Sequence, residues 1–186
     1  VTIKGNSAGY GGGLSTSDFP ILNNVTISDN QGGGVFCEAD ANPIITNSIL
    51  WNNSSYEISF LSNSTSAITV SYSDVAGGSN GIVQNNGDIT INWGEGNIDS
   101  DPLFCEADSG NYHIAGNSPC AGTGLDGADM GALGVGCDAI LFPPVVSIPD
   151  TSMNEDSEFF YDLSAYISDV DDDTLMVVVG HVSQPM

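Results

Sequence analysis

Apolar residues fall along this chain in short bursts of three to five, separated by Gly, Asn, Ser and Asp. Within a burst they alternate with polar residues, as in Val25-Thr26-Ile27, the period of a strand with one buried face. No stretch keeps a helical period over helical length. The bursts recur: "VTIKGN", "VTISDN" and "ILWNNS" begin at residues 1, 25 and 49, a spacing of 24. Between them "FPILNN", "NPIITNS" and "SAITVSYS" centre on Ile21, Ile44 and Ile68, 23 and 24 residues apart. Periods of ~20–50 residues mark solenoids and propellers, and a propeller blade needs ~40–45. Three short strands per ~24 residues predict one coil of a parallel β-helix, with coils stacked at the ~4.8 Å strand spacing.

Stacking predicts which residues meet. At a spacing of 24, Val1 and Ile3 lie under Val25 and Ile27, then under Ile49 and Trp51, all facing the inside of the tube. The triplets Gly11-Gly12-Gly13 and Gly32-Gly33-Gly34 fit the bends between strands, where positive φ favours glycine. Asn6 over Asn30, and Asn23 over Asn47, suit side-chain amide ladders, with turn formation as the other reading of the same asparagines.

Charge narrows the function. The chain has 24 acidic residues, one Lys (Lys4) and no Arg, a net charge of −23. Such a surface repels nucleic acid, which is excluded as a partner. Acidic chains are often disordered, but 40% hydrophobic against 13% charged residues argues for a packed β-structure. No apolar run approaches the ~18–20 residues of a membrane span. The chain opens at Val1 without an initiator Met and stops at Met186 in mid-pattern, which predicts a piece of a longer protein. Cys37, Cys105, Cys120 and Cys137 show no zinc spacing. In a secreted chain their even number favours at least one disulfide, and buried free thiols are the alternative.

From residue 70 the wording becomes distinctive: "VSYSDVAGG", "GNIDSDPLF", "GNYHIAGNSPCAGTG" and "DMGALGVGC" follow in order to Cys137. Residues 1–138 resemble the C-terminal end of secreted bacterial right-handed parallel β-helix proteins of pectate-lyase-like architecture. The resemblance implies an all-β fold with coils over 1–100 and a closing coil and cap over 101–138. Pro102 and Pro119 suit such a cap because they cannot donate to a ladder. Within it, a Cys120–Cys137 disulfide would close a loop of about 18 residues, with Cys105 as an alternative partner and Cys37 left over. A Pro-rich linker spans 139–149. Residues 150–186 resemble the start of a cadherin-like or bacterial immunoglobulin-like sandwich, about half of such a module, which predicts poor order beyond about residue 150. That likeness implies a calcium site on Glu155, Asp169, Asp171 and Asp173, since Ca²⁺ takes six to eight oxygen ligands. A solvated acidic turn is the competing reading.

The architecture hosts polysaccharide lyases and hydrolases, but fold alone does not assign chemistry. The lyases use a basic residue, usually Arg, and this chain has no Arg and only Lys4 near its start. Acids do not recur at the coil period as a hydrolase pair needs. Asp126 and Asp129 read as turn residues, and His113 in "NYHIAG" as structural. Trp51 and Trp93 read as core rather than as sugar platforms. No catalytic residue and no cofactor other than calcium is expected. The expected function is a non-catalytic, extracellular or bacterial cell-surface stalk and adhesion platform, with glycans or surface proteins as partners. The alternative is a carbohydrate-binding or carbohydrate-active β-helix whose groove lies in further coils.

Overall fold

The computed structural model describes residues 1–142, 145–146 and 167–168. The chain divides into two compact units, Val1–Ile140 and Leu141–Met186. The first is a right-handed parallel β-helix. Coil 1 holds β1 (Thr2–Lys4), β2 (Leu14–Thr16) and β3 (Ile21–Asn23). Coil 2 holds β4 (Thr26–Ser28), β5 (Val35–Cys37) and β6 (Ile44–Thr46). Coil 3 holds β7 (Ile49–Trp51), β8 (Ile58–Phe60) and β9 (Thr65–Ser71). Coil 4 holds β10 (Asp74–Val75), a one-residue bridge from Val83 to Ser59, and β11 (Asp88–Trp93). Stacking gives three parallel sheets: β1-β4-β7-β10, β2-β5-β8 and β3-β6-β9-β11.

The observed register corrects the expected stacking by one residue. Ile3 lies under Ile27 as predicted, but Ile27 pairs with Leu50, and Leu50 with Val75. Coil 2 is one residue shorter than coil 1, and a one-residue slip moves a strand's whole side-chain set to the other face. Ile27, Leu50 and Val75 form the inward row and are essentially inaccessible, with Val35, Ile58, Ile45 and Val70 on the other two walls. Ile49 and Trp51 therefore face outward, and Trp51 is not in the inner row. Both are covered by a later segment of the chain.

Corners rely on residues that tolerate left-handed backbone. Gly5, Asp29, Asn52 and Gly77 occupy one corner in successive coils with φ of 64°, 57°, 58° and 79°. At the opposite end of the same sheet, Asn24 and Asn47 do the same at 50° and 49°. Short polar side chains and glycine bear this conformation at least cost. Gly33, at φ 100°, also lets the Tyr56 ring lie against its backbone, where a Cβ would stand 2.0 Å from the ring.

Two polar ladders flank the first sheet. Asn6 donates its Nδ2 to Asn30 Oδ1 at 3.0 Å, and Asn30 donates its Nδ2 to Asn53 Oδ1 at 2.9 Å. The backbone N–H groups of Asn6 and Asn30 reach the same oxygens as their side chains do. Asn53 then donates from its backbone and its side chain to the Glu57 carboxylate, which ends the series. On the other flank the Val25 N–H donates to Ser48 Oγ, the Ser48 N–H to Ser73 Oγ, and the Ser73 N–H to Asn97 Oδ1. Asn47 also donates to Asn23, at 3.4 Å. The asparagines serve as ladder rungs and as turn formers at different corners.

After Ile98, which bridges to Asp74, the chain leaves the coil path. Residues 99–137 run back along the outward face of the first sheet as far as coil 1. They carry β12 (Phe104–Glu106), β13 (Asn111–Ala115) and β14 (Val135–Cys137), with β12 antiparallel and β14 parallel to β13. This return segment covers a flank of the tube along the same residues expected to form its cap. Under it lies a second core of Ile49, Ile114, Cys120 and Met130, with Trp51, Ile98 and Phe104 at its margin. In the second unit, β15 (Val145–Val146) pairs antiparallel with β16 (Ile167–Ser168).

Candidate functional site

The chemically capable side chains of the first unit gather where the return segment meets the coils. The single lysine lies at the coil 1 end. Lys4 Nζ donates to the Gly110 carbonyl at 3.1 Å and stands 4.7 Å from the centre of the Tyr112 ring, a cation–π contact. Tyr112 is placed there by β13, next to a single 3-10 turn at Ala107–Ser109. Its phenol donates to Asp29 Oδ2. Asp29 also accepts from Ser28 Oγ at 3.0 Å and from Asn52 Nδ2. Burial first, and then the Asp29 carboxylate, push the Tyr112 phenol well above its ordinary range, so it stays protonated and acts as a donor. Lys4, Asp29, Asp108, Ser109 and Tyr112 line an open cavity of about 440 Å³.

At the coil 4 end, Asp74 is fully buried. It reaches this position because β10 alternates Val75 inward and Asp74 outward, under the return segment. Cys120 Sγ donates to its Oδ2 at 3.2 Å, and the Ser100 N–H donates to its Oδ1 at 3.2 Å. Burial raises the Asp74 carboxyl to about 7, opposed by these two hydrogen bonds. Burial also lifts the Cys120 thiol far from reactivity, with Asp74 adding to the shift. Glu57, at the foot of the asparagine ladder, is likewise raised by burial to about 7.

The disulfide joins Cys105 to Cys137, 32 residues apart, in β12 and β14. The expected Cys120–Cys137 pairing is therefore corrected, and Cys105, the alternative partner, takes the place of Cys120. Cys120 points under the return segment to Asp74, while Cys105 and Cys137 lie on the strands either side of β13. Cys37 is free and buried in the coil core, where burial pushes its thiol up to about 12. His113 Nδ1 faces the Gly134 carbonyl at 3.0 Å, a bond between neighbouring strands. Asp129 accepts from the Gly122 and Val135 N–H groups, and Asp126 sits in a 3-10 turn at φ 58°. Trp93 packs on the coil core. The proposed calcium ligands Glu155, Asp169, Asp171 and Asp173 lie outside the described residues, as does the stretch expected to be poorly ordered apart from Ile167–Ser168. Among the described residues no three His, Cys, Asp or Glu side chains are grouped to hold a metal ion.

Sequence reasoning missed the Lys4–Tyr112–Asp29 and Asp74–Cys120 contacts, because each joins parts of the chain that share no period. Comparison with protein-family models, with curated proteins and with solved structures finds no match to this chain. The arrangement must be read from its geometry alone. Chemically it is a set of clamps: a carboxylate already accepting three hydrogen bonds, a phenol held protonated, an ammonium tied to a carbonyl, and a thiol held neutral.

Proposed function

We propose that the chain is a non-catalytic β-helix of a secreted or cell-surface protein, a rigid stalk that doubles as an adhesion platform. One observation carries this reading. The strongly polar groups on the covered flank hold the return segment in place: Lys4 is tied to Gly110 and Tyr112, the Asp29 carboxylate accepts three hydrogen bonds, and the Cys120 thiol is buried against Asp74. The Cys105–Cys137 disulfide supports an oxidising compartment. No helix among the described residues is long and apolar enough to cross a membrane. Calcium held by Glu155, Asp169, Asp171 and Asp173 in the second unit belongs to the same proposal, as do glycans or surface proteins as partners.

Pulling single molecules by their ends tests the stalk. A rigid spacer unfolds the coils together at high force, whereas coil-by-coil unravelling at low force overturns the reading.

Carbohydrate binding is the second reading, and it has its own support. Tyr10 is 69% exposed and lies 5.1 Å from the Phe36 ring, presenting an aromatic face beside the Gly-rich bend. Binding on a glycan array that is lost in Tyr10→Ala favours it. Turnover of any polysaccharide by this chain would overturn the non-catalytic assignment.

A further inference from the structure

Among the described residues Asp74 has no counter-charge. It is buried between coil 4 and the return segment, and only two neutral donors, Cys120 Sγ and the Ser100 N–H, face its oxygens. On β7 its register partner is Ile49. From the start of the return segment the charged neighbours are Asp99 and Asp101, both acids. From the return segment the titratable neighbour is Cys120. Lys4, the chain's one basic side chain apart from two histidines, is engaged at Gly110 and Tyr112, in coil 1. Of the histidines, His113 is on β13 facing Gly134, and His181 lies outside the described residues. A carboxylate buried among acids without a cation is strongly disfavoured.

We propose that Asp74 is a pH-set latch: protonated, it seats residues 99–137 over the first sheet, and on ionising it releases the segment locally around Cys120. The remaining clamps are independent of it. These are Lys4 to Gly110, Tyr112 to Asp29, the Leu125 N–H to Asn47 Oδ1 and the Ala132 N–H to Thr26 Oγ1. The far end therefore stays attached while the Asp74 end lifts.

The sign follows from the raised carboxyl. With a pKa of about 7 in the seated state and 3.8 as the ordinary value, seating is complete below about 4. It weakens as pH rises through 7 and then levels off. Each pH unit inside that window changes the seating equilibrium by up to about tenfold.

Trp51 is a built-in reporter, since it lies at the margin of the core under the segment. In a Trp93→Phe background its emission should shift to longer wavelength between pH 5 and pH 8. Hydrogen exchange on the unmodified chain, corrected for intrinsic rates, should show amides around Cys120 opening more at pH 8 than at pH 5, by a larger factor than β4 and β5, whose own change comes from Glu57. Asp74→Asn keeps the carbonyl acceptor, and its amide can donate to the Cys120 sulfur. That variant should hold the segment equally well at both pH values. Unchanged Trp51 emission, or exchange around Cys120 that does not depend on pH, overturns the latch without any variant at Asp74. Equal pH dependence in Asp74→Asn also overturns it.

Discussion

The coils and the return segment bury similar side chains by different means. In coils 1–4 each inward residue rests on its equivalent one turn away, so Ile3, Ile27, Leu50 and Val75 form one column. The core is made by repetition, and each rung contributes to the next. The return segment has no equivalent in any coil. It is held by individual contacts across 83 residues, as from Tyr112 to Asp29, or 106 residues, as from Lys4 to Gly110. Where repetition is absent, the chain uses its one disulfide, its one lysine and a buried carboxyl. Chemically distinctive residues collect where the repeat cannot do the packing.

The comparison breaks most visibly at a shared rung. Leu50→Ala removes an inaccessible side chain from the middle of the inward column. The expected loss is about 2–5 kcal/mol, the usual range for such truncations. Urea denaturation should show it as a lower midpoint for the coils as a whole. If only one coil's amides lose exchange protection, the rungs are not coupled.

Next in size is the disulfide. The Cys105→Ser/Cys137→Ser pair opens a loop whose closure is worth about 2–4 kcal/mol. Because both residues lie in the β12-β13-β14 sheet, the loss should fall on the return segment. Circular dichroism of the coils should persist at temperatures where Trp51 is already solvated. Simultaneous loss of both signals would mean that the two regions fold as one unit.

Glu57 sharpens the comparison from within the coils, as the coil counterpart of Asp74. Burial raises its carboxyl from 4.5 to about 7, against the pull of the two Asn53 donors. A carboxyl raised in the folded state contributes full stability below its unfolded pKa and loses it as pH rises through the folded one. Stability should therefore fall between about pH 4.5 and 7. In Glu57→Gln one acceptor facing Asn53 becomes a donor, which costs about 1 kcal/mol at pH 4. The variant lacks the pH-dependent fall, so its deficit should narrow or reverse by pH 8. A deficit constant with pH would show that the Glu57 carboxyl titrates alike in the folded and the unfolded chain.

The repeating part of this architecture was legible because stacking forces like residues onto like positions. Val25 resembles Val1 for that reason, and Asn30 resembles Asn6. The register slip at Leu50 was not legible: coil length varies by one residue, and Ile49, Leu50 and Trp51 are all apolar, so hydrophobicity could not tell inside from outside. The outward Ile49 and Trp51 became intelligible only with the return segment over them. That segment's path had no periodic signal, and pairing among Cys105, Cys120 and Cys137 depends on strand neighbours that spacing does not encode. The Asp74–Cys120 contact was hidden for the same reason, since an acid after a Ser in a turn-rich stretch looks like any solvated turn.

The smallest expected effect concerns Lys4, and it separates the two regions most finely. Lys4 is exposed, so its hydrogen bond to Gly110 competes with water and its charge is screened. What remains is the contact with the Tyr112 ring, worth about 0.5–1 kcal/mol at an exposed site. Lys4→Met keeps the apolar stem and removes the charge. In this variant the coil 1 end of the return segment should open about two- to fivefold more often, read by hydrogen exchange at β13, while the coil midpoint in urea stays unchanged. The effect should shrink as salt is added to the wild type, because screening removes the same interaction that the substitution does. A salt-insensitive difference would instead assign the contact to packing of the lysine stem. A shift in the coil midpoint would show that the lone cation stabilises the coils rather than fastening the segment that lies over them.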